Sequence, residues 1–429
     1  MRILFLTQII PYPPDSGPKV KTWHVLRYLA ERGHQISLAS FVRPDELGHV
    51  AALHQVCVEV CTVPIHRSHL ADGIYWLRSQ VTGRPFLIER DDLQGMRRCV
   101  RDLMAHTDFD IIHTDQLTMA QFALSAPHLF SRPGSRSRLR KNSPPMLVFD
   151  AHNAVWTILE RMSHTAPFFL KPVANLEARR VKRYEGMLLH TFDHTLAVTE
   201  IDRGMLLEAA QFSRNGAVPA SNMGDSSAAA LPITVVPIAV DTQVLQPVSR
   251  VQNSLNVVTL GTLHYPPNAD GIRWFAHEVF PRVCREIPQV TLTIIGKNPP
   301  QDFQELAANQ PDKFIVTGYV PDLVPYLQQA ALMVVPVRAG SGMRVRILEA
   351  LAQGMPIVTT TIGLEGIDAV PGEEVLVADS PEDYAKAVIQ LLQDANLQAY
   401  LAENGRRLAE KRYDWRVVLQ KMDEIYGDA

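Results

Sequence analysis

The 429-residue sequence has few cysteines, no long apolar run and no large excess of either charge. The four cysteines are Cys57, Cys61, Cys99 and Cys284, and their spacing completes no zinc-binding pattern. We therefore expect reduced, partly buried thiols, as is usual in the cytoplasm, and no metal site. No run approaches the roughly 20 apolar residues that span a bilayer. Residues 3–6 are too short for the apolar part of a signal peptide, so we expect a soluble cytoplasmic protein.

The charge of the sequence is nearly balanced, with a formal net charge of −3. A nucleic-acid-binding protein normally carries a basic excess, so this balance argues against nucleic acid as a partner. Any anionic ligand must instead be held by local groups. Hydrophobic residues make up 46% and charged residues 20%, which is typical of globular domains. Because 429 residues exceed one ordinary hydrophobic core, the length predicts two domains.

Strand and helix patterns alternate along the chain. Residues 2–7 predict a buried strand, residues 19–32 a helix and residues 35–41 the next strand, an order typical of parallel α/β sheets. Further strands are predicted at residues 110–113, 146–150, 194–198, 233–237, 255–261, 291–296, 314–317, 332–337, 356–361 and 374–377. We therefore predict an α/β fold of two Rossmann-like domains, residues 1–245 and 250–410, with a ligand in the cleft between them.

The most informative segment is residues 332–354, where a predicted strand runs into a turn of small residues and then a helix. Small residues let a ligand approach the backbone, and a helix N-terminus suits a diphosphate. Arg344 and Arg346 add fixed positive charge, and Glu349 lies almost one turn after Arg346. The predicted donor-binding positions of the turn are Gly340, Ser341, Gly342 and Met343. By itself the segment could equally be a tight turn followed by a surface pair of Arg346 and Glu349.

Five blocks of the sequence, in collinear order, resemble the retaining family 4 glycosyltransferases, which have the GT-B fold of two Rossmann-like domains facing a central cleft. Residues 340–358 look like the donor motif of that family. The other blocks are residues 11–17, 261–271, 318–323 and 413–415. The resemblance implies that the first domain is the acceptor side and that the second binds a nucleotide-diphosphate sugar. It also implies that residues 411–429 form a helix that packs back on the first domain, and that no metal cofactor is needed.

The resemblance assigns site residues position by position. Glu349 matches the family's glutamate that binds the donor ribose, and Tyr319 lies in the block that resembles its loop at the nucleobase. Gly17 lies in the block that resembles the glycine-bearing first loop, so the resemblance implies that it binds the donor, as do Gly261 and Asn268 of a later block. The first glutamate of the family's pair should lie eight residues before Glu349, where this sequence has Ser341. The backbone of the turn, or Ser341 itself, must then contact the sugar.

A second departure from the family lies near Gly261. Many members place an arginine and a lysine shortly after this glycine to hold the phosphates, whereas this sequence has His264, Tyr265 and Asn268 there. Arg344 and Arg346 are the candidate replacements. We interpret the change as variation within the family.

His152 and Asp15 are the candidate catalytic residues of the first half. Family members often carry a histidine near the position of His152, facing the transferred sugar, where it can hydrogen-bond a sugar hydroxyl or stabilise developing charge. The alternative is a loop histidine that caps the following helix. Asp15 is a candidate base for the acceptor hydroxyl, and its alternative is an ordinary turn aspartate beside Gly17.

The resemblance implies a glycosyltransferase that moves a hexose to a glycan or lipid-linked acceptor with retention, in surface polysaccharide or glycoconjugate synthesis. A sugar-nucleotide epimerase shares the two-domain architecture, and a non-catalytic relative in a polysaccharide assembly would explain Ser341; both alternatives stay open. A dinucleotide dehydrogenase is excluded because residues 7–17 lack the Gly-x-Gly-x-x-Gly pattern.

A predicted helix at residues 172–189 concentrates positive charge. A solvated charged face is the simpler interpretation of this helix. The alternative is a surface that meets anionic lipid at the inner face of the cell membrane, to which the basic residues of 132–141 would contribute. The basic positions of the helix are Arg179, Arg180, Lys182 and Arg183.

Overall fold

The computed structural model of the protein describes residues 1–125, 144–165, 167–215, 231–340 and 342–427. The chain divides into two compact units. The first unit comprises Met1–Pro237 and Leu419–Ala429, and the second comprises Ile238–Val418. The basic residues predicted to lie in a loop at 132–141 fall outside the described residues.

The described part of the first unit contains a parallel sheet with the strand order β3-β2-β1-β4-β5-β6-β7. The strands are β1 (Arg2–Thr7), β2 (Gln35–Val42), β3 (Glu59–Pro64), β4 (Ile111–Asp115), β5 (Met146–Ala151), β6 (His194–Ala197) and β7 (Ile233–Val235). Six of the seven were predicted from apolar runs, which suit strands buried on both faces. The exception, β3, lies at the sheet edge, is only half-buried and ends in a proline, so its sequence shows no such run.

Helices connect these strands and cover the sheet. In the described part of the unit they are α1 (Gly17–Glu31), α2 (Val50–Leu53), α3 (His69–Thr82), α4 (Phe86–Asp91), α5 (Gln94–His106), α6 (Ala120–Leu124), α7 (Val155–Thr165), α8 (Lys171–Thr191) and α9 (Glu200–Asn215). Short 3₁₀ helices lie at Pro44–His49 and Leu117–Met119. The core is formed by apolar side chains such as Leu4, Ile112 and Phe149 from neighbouring strands.

The second unit contains a parallel sheet with the strand order β10-β9-β8-β11-β12-β13. Its strands are β8 (Asn256–Leu260), β9 (Thr291–Ile295), β10 (Phe314–Gly318), β11 (Ala330–Val335), β12 (Ile357–Thr359) and β13 (Leu376–Val377). Its helices are α10 (Pro266–Trp274), α11 (Phe280–Glu286), α12 (Gln301–Asn309), α13 (Val324–Gln329), α14 (Val345–Ala352), α15 (Pro381–Gln393), α16 (Ala395–Leu408) and α17 (Trp415–Val418). One-turn π segments lie at Phe275–Val279 and Ala409–Tyr413.

The end of the chain continues from α17 through a 3₁₀ turn, Leu419–Met422, into α18 (Asp423–Tyr426). Both segments belong to the first unit. There Tyr28 of α1 donates a hydrogen bond to Asp423 at 2.8 Å, and Tyr426 is fully buried.

The cysteines differ from the expectation of four reduced thiols. Cys61 of β3 and Cys99 of α5 are joined in a disulfide, whereas Cys57 and Cys284 are free. The expectation, which was based on the cytoplasmic compartment, was wrong for Cys61 and Cys99, because α5 packs beside β3 in the fold and brings these two thiols together. Burial raises the pKa of the Cys57 thiol to about 12. Among the described residues, no helix combines the length and apolar character needed to cross a bilayer.

Candidate functional site

The turn between β11 and α14 has the backbone that the sequence predicted. Gly340 and Gly342 adopt φ values of +120° and +82°, which residues with a side chain rarely accept. Met343 is buried, and Arg344 lies at the N-cap position, so the helix begins at Val345. Ser341, where the first glutamate was expected, lies outside the described residues.

The side chain of Arg346 connects helix α14 to the loop after β8 through hydrogen bonds. Its Nη1 donates a hydrogen bond to the Leu260 carbonyl at 3.0 Å, and its Nη2 donates to Asn268 Oδ1 at 2.8 Å. Asn268 in turn donates through Nδ2 to the Thr262 carbonyl at 3.2 Å. A Cβ atom added to Gly261 would lie 2.4 Å from Arg346 Nη1, so only glycine leaves room for the guanidinium. Three separately predicted residues, Gly261, Asn268 and Arg346, therefore meet in one cluster.

Arg344 and Glu349 complete the charged groups of this region. Arg344 donates to the Gly342 carbonyl at 3.0 Å. Burial and the neighbouring Arg344 lower the pKa of Arg346 to about 10, so it is still charged at neutral pH. Burial raises the pKa of Glu349, and the positive charge of Arg346 opposes that rise. Glu349 keeps some solvent access, so its carboxylate is a candidate acceptor for ligand hydroxyls.

Tyr319 lies just after β10, with its ring largely exposed. It follows Gly318, whose φ of +73° turns the chain at the strand end. Lys297, after the neighbouring strand β9, places Nζ 4.6 Å from the centre of the Tyr319 ring. The sequence analysis did not select Lys297, although its position directly after a predicted strand was a usable signal.

In the first unit, His152 is paired with a buried aspartate. His152 Nε2 lies 2.6 Å from Asp115 Oδ1. The hydroxyl of Thr7 donates to Asp115 at 2.7 Å and that of Thr22 at 3.0 Å. Burial alone would raise the pKa of Asp115, but the charge and hydrogen bond of His152 outweigh it, so the pKa lies below its ordinary value. Asp115 is thus an ionised group that holds the His152 ring.

A second buried pair lies beside the first. The Lys21 ammonium of α1 donates to Asp150 at the end of β5, and both side chains are almost fully buried. His113 of β4 lies 3.8 Å from Asp150, and its Nδ1 hydrogen-bonds the Tyr426 hydroxyl. Burial lowers the pKa of His113 to about 4, so this imidazole is neutral.

The sequence analysis did not select Lys21, Asp115 or Asp150. Asp115 and Asp150 are register partners at the carboxyl ends of the adjacent strands β4 and β5, and Thr7 of β1 is the partner of Asp115 on the other side. Polar residues at the ends of predicted strands were the available signal. His113, Asp115 and Asp150 bring their ligand atoms within 4.8 Å of one another. The Lys21 ammonium already neutralises Asp150. We therefore interpret the three residues as part of a network of paired charges and not as a cation site.

The first loop, residues 11–17, leads into helix α1. Gly17 is the first residue of α1, and Ser16 is its N-cap residue. Asp15 is partly exposed and lies 3.4 Å from Lys19 Nζ, which also contacts Glu46 at 3.2 Å. Asp15, two residues before the start of α1, thus forms an ion pair with Lys19 of its first turn, and its role as a base stays a prediction.

Comparison with known proteins shows related sequences. Residues 254–394 match the family model described as glycosyl transferases group 1. A 44.6 kDa protein in the cps region of Klebsiella pneumoniae is 26% identical over 176 residues, which are 40% of this chain and 45% of that protein. One subunit of the phosphatidylinositol N-acetylglucosaminyltransferase of Arabidopsis thaliana is 26% identical over 210 residues, which are 46% of this chain and 44% of that protein. The matches thus span less than half the length of these relatives.

Similar solved structures extend over the whole chain. Anabaena HepE in complex with UDP superposes with a TM-score of 0.65 at 15% identity, covering 100% of both chains. The sucrose-phosphate synthase of Thermosynechococcus elongatus gives a TM-score of 0.67 at 15% identity, covering 99% of this chain and 98% of the other. The chain therefore has the GT-B fold, and its residues 254–394 are similar to the group 1 glycosyl transferases.

Proposed function

We propose that the protein is a glycosyltransferase that moves a hexose from a nucleotide-diphosphate sugar to a glycan or lipid-linked acceptor. The observation that carries the proposal is the cluster of Gly261, Asn268 and Arg346 beside the glycine turn, inside the matched domain. The cps-region relative, the plant N-acetylglucosaminyltransferase relative and the UDP complex of HepE support this function. Its setting would be surface polysaccharide or glycoconjugate synthesis in the cytoplasm, at the inner face of the cell membrane.

The second unit would bind the donor. The backbone of the turn around Gly340 and Gly342, the Arg344 side chain and the N-terminus of α14 would hold the diphosphate. Both Nη atoms of Arg346 already donate to protein oxygens, so its main role would be to fix the loop after β8 while contributing positive charge. Glu349 would accept hydrogen bonds from the ribose hydroxyls.

The nucleobase would meet the exposed ring of Tyr319, which Lys297 holds in place. An exposed aromatic ring at a strand end offers a flat apolar surface for stacking. No metal is assigned a role, because the two arginines and the helix N-terminus supply positive charge where the diphosphate leaves.

The transfer would proceed with retention, as the family resemblance implies. The bond between the sugar C1 and the diphosphate oxygen breaks, the acceptor oxygen bonds to C1 on the same face, and the acceptor proton passes to the departing phosphate. Arg344 and the α14 N-terminus would stabilise the negative charge that develops on that phosphate. The first unit would bind the acceptor, with His152, oriented by Asp115, hydrogen-bonding a sugar hydroxyl. Asp15 is the weaker candidate for a base because Lys19 neutralises it.

The test is incubation of the purified protein with UDP- and GDP-sugars, with and without glycan and lipid-linked acceptors. Release of nucleoside diphosphate together with a glycosylated acceptor supports transfer, and nuclear magnetic resonance of the product reports the anomeric configuration. A changed sugar that stays attached to the nucleotide would show an epimerase instead. Donor binding without turnover on any acceptor would leave only a non-catalytic protein.

The donor site has its own test, with Glu349→Ala and Arg346→Ala. Both should weaken binding of the nucleotide-diphosphate sugar by about tenfold or more. Glu349→Ala removes the acceptor for the ribose hydroxyls, and Arg346→Ala removes a positive charge and the hydrogen bonds that fix the loop after β8. Matched controls are Glu403→Ala and Arg407→Ala, an exposed pair in α16 of the same unit. Unchanged donor affinity in folded Glu349 and Arg346 variants would refute the proposed site.

A further inference from the structure

Gln116 has a backbone conformation that few residues other than glycine adopt. Among the described residues, three non-glycine positions have a positive φ: Gln116 at +75°, Asn253 at +57° and Asn298 at +51°. Asparagine tolerates the left-handed region because its short side chain can hydrogen-bond locally. Gln116 combines its φ with a ψ of 155°, in a region that is almost entirely restricted to glycine. The backbone of Gln116 is therefore strained.

Hydrogen bonds on both sides of Gln116 hold this conformation. Its backbone N–H donates to the Asp150 carbonyl at 3.0 Å, and its carbonyl accepts from the Met119 N–H at 3.2 Å. The preceding residue, Asp115, is fixed by its hydrogen bond with His152. The fold thus determines the position of Gln116 from both directions and keeps the strain in place.

The side-chain amide of Gln116 lacks an acceptor within the described part of the protein. Its Nε2 atom is buried and has no hydrogen-bond partner there. Gln121, five residues later, shows how this fold satisfies a structural glutamine. The Gln121 amide donates to the carbonyls of Ile88 and Thr118 at 3.1 and 3.0 Å, and its oxygen accepts from Arg84 at 2.8 Å. A buried donor without an acceptor costs free energy, so packing does not explain the amide of Gln116.

The position of Gln116 indicates where a ligand would supply the acceptor. Gln116 directly follows β4, the central strand of its sheet, and ligands of open α/β sheets bind outside the carboxyl ends of the strands. His152 follows the neighbouring strand β5 at the same edge, and Asp115 connects the two positions. Gln116 as a whole is partly exposed, and the torsion that turns a glutamine amide has broad minima, so a small rotation can present an N–H to a ligand.

Glutamine carries two costs at this position that glycine would avoid. Glycine would adopt the same backbone without strain and would leave no unpaired amide. Strained residues of this kind are concentrated at ligand-binding and active sites, where the surrounding structure fixes them. The identity of residue 116 is therefore better explained by binding than by folding.

We propose that Gln116 binds the sugar acceptor, with its side-chain amide donating a hydrogen bond to an oxygen of that sugar. The proposal rests on the proposed function and adds a residue to the acceptor side of it. A sugar is a suitable ligand because its hydroxyl and ring oxygens accept hydrogen bonds. The neighbouring Asp115 is ionised and disfavours an anionic group here, so the part of the acceptor that Gln116 contacts is a neutral sugar.

The test measures binding to the full-length protein without a nucleotide sugar. The probes are the octyl glycosides of glucose, galactose and N-acetylglucosamine, titrated by saturation-transfer nuclear magnetic resonance, and we expect the unaltered protein to bind at least one. Gln116→Met keeps the length of the side chain but removes the amide, and it should weaken binding about tenfold, as expected for one hydrogen bond. Gln116→Gly should weaken binding equally and raise the melting temperature of the first unit by a few degrees, because glycine relieves the strain.

Asn253→Gly is the matched control, because it replaces another residue with a positive φ, at an exposed position of the second unit. It should bind the glycosides like the unaltered protein. The proposal would be overturned if the unaltered protein bound none of the three glycosides, or if both Gln116 variants bound them equally well.

A lower melting temperature of Gln116→Gly would assign the side chain to the packing of the first unit and would also overturn the proposal. Sugar transfer from UDP- and GDP-sugars to the bound glycoside reports separately on the proposed function. Glycoside binding that depends on Gln116, without transfer, would support the Gln116 site and count against a glycosyltransferase.

Discussion

The two units build their candidate sites in opposite ways. In the second unit, a glycine turn, a helix start and a short loop bring Gly261, Asn268 and Arg346 together, and Glu349 keeps access to solvent. In the first unit, the charged groups around Asp115 and Asp150 are buried and already neutralise one another. The first arrangement leaves the Glu349 carboxylate accessible to a ligand, whereas the second pairs its charged groups with one another inside the protein.

This contrast predicts which property a mutation changes. Removing one member of a buried ion pair leaves an uncompensated charge in the core, so the cost falls on folding. Removing a group that contacts only a ligand leaves the free protein intact, so the cost falls on binding. In the first unit, we therefore expect some mutations to lower the unfolding free energy and others to lower turnover. In the second unit, we expect mutations at the candidate site to lower donor affinity.

The largest effect is expected from Asp150→Ala, which leaves the buried Lys21 ammonium without its partner. We expect a loss of about 3–5 kcal/mol in the unfolding free energy of the first unit. Hydrogen exchange measured by mass spectrometry should quicken in β4 and β5 and stay unchanged in β8 and β11. The double change Lys21→Met with Asp150→Leu should recover most of the loss, because it removes both charges. Equal hydrogen exchange in the Asp150→Ala and unaltered proteins would contradict a stabilising buried pair. The control is Asp383→Asn, which changes an exposed ion pair of α15 and should leave the exchange of β4 and β5 unchanged.

The next effect is expected from His152→Ala, which should lower turnover about a hundredfold if the imidazole contacts a reacting group. Donor affinity should change much less than turnover, because most of the predicted donor-binding residues belong to the other unit. Asp115→Asn should give a smaller loss in the same direction, because it removes only the charge that orients the ring. Initial rates at saturating donor, with calorimetry for affinity, separate the two quantities.

The exposed His164 of α7 supplies the control for this experiment. His164→Ala should turn over like the unaltered protein. If His152→Ala also kept full turnover, His152 would be the loop histidine of the alternative interpretation.

The same contrast explains what the sequence could and could not predict. The site of the second unit comes largely from one contiguous segment, so its glycines, Arg346 and Glu349 were found from a local pattern and a family resemblance. The buried network of the first unit joins Thr7, Lys21, Asp115 and Asp150 from distant parts of the chain. Only the strand order and register bring these residues together, and neither is written in a local pattern.

The strands and helices show the same difference between local patterns, which the sequence reveals, and long-range contacts, which it does not. Strands buried on both faces were predicted from their apolar runs, whereas the half-exposed edge strand β3 was not. Its missing assignment also hid the pairing of Cys61 with Cys99, because α5 and β3 are neighbours only in space.

A smaller effect, on binding alone, is expected from Gly261→Ala. The new Cβ would lie 2.4 Å from Arg346 Nη1, so the guanidinium must leave the Leu260 carbonyl and Asn268. We expect donor affinity to fall about tenfold, with no comparable change in hydrogen exchange of the sheet. Adding Arg346→Ala should then cost little more, because the two changes remove the same contact.

Gly204→Ala in α9 controls for the loss of a glycine, since a Cβ there meets nothing within 4 Å. It should bind donor like the unaltered protein. Fully additive effects of Gly261→Ala and Arg346→Ala would show that the two residues do not share one contact, and the proposed cluster would be wrong.

The smallest expected effect is a pH dependence of donor affinity that originates in Glu349. Burial raises the pKa of this carboxyl, so on acidification it takes up a proton at a higher pH than an ordinary glutamate does. The protonated form is a poorer acceptor for ribose hydroxyls, so affinity should fall as the pH drops through the raised pKa. Arg346, with a pKa of about 10, stays charged throughout this range and adds no slope of its own.

The measurement is calorimetric titration with an intact nucleotide-diphosphate sugar, whose phosphates lack the terminal group that titrates near neutrality in a free diphosphate. Affinity should fall by less than about tenfold, which corresponds to one hydrogen bond weakened by protonation. Glu349→Gln should bind more weakly than the unaltered protein at neutral pH and show a flat profile, because the amide does not titrate. A Glu349→Gln profile that keeps the slope of the unaltered protein would place the titrating group elsewhere and remove Glu349 from the donor site.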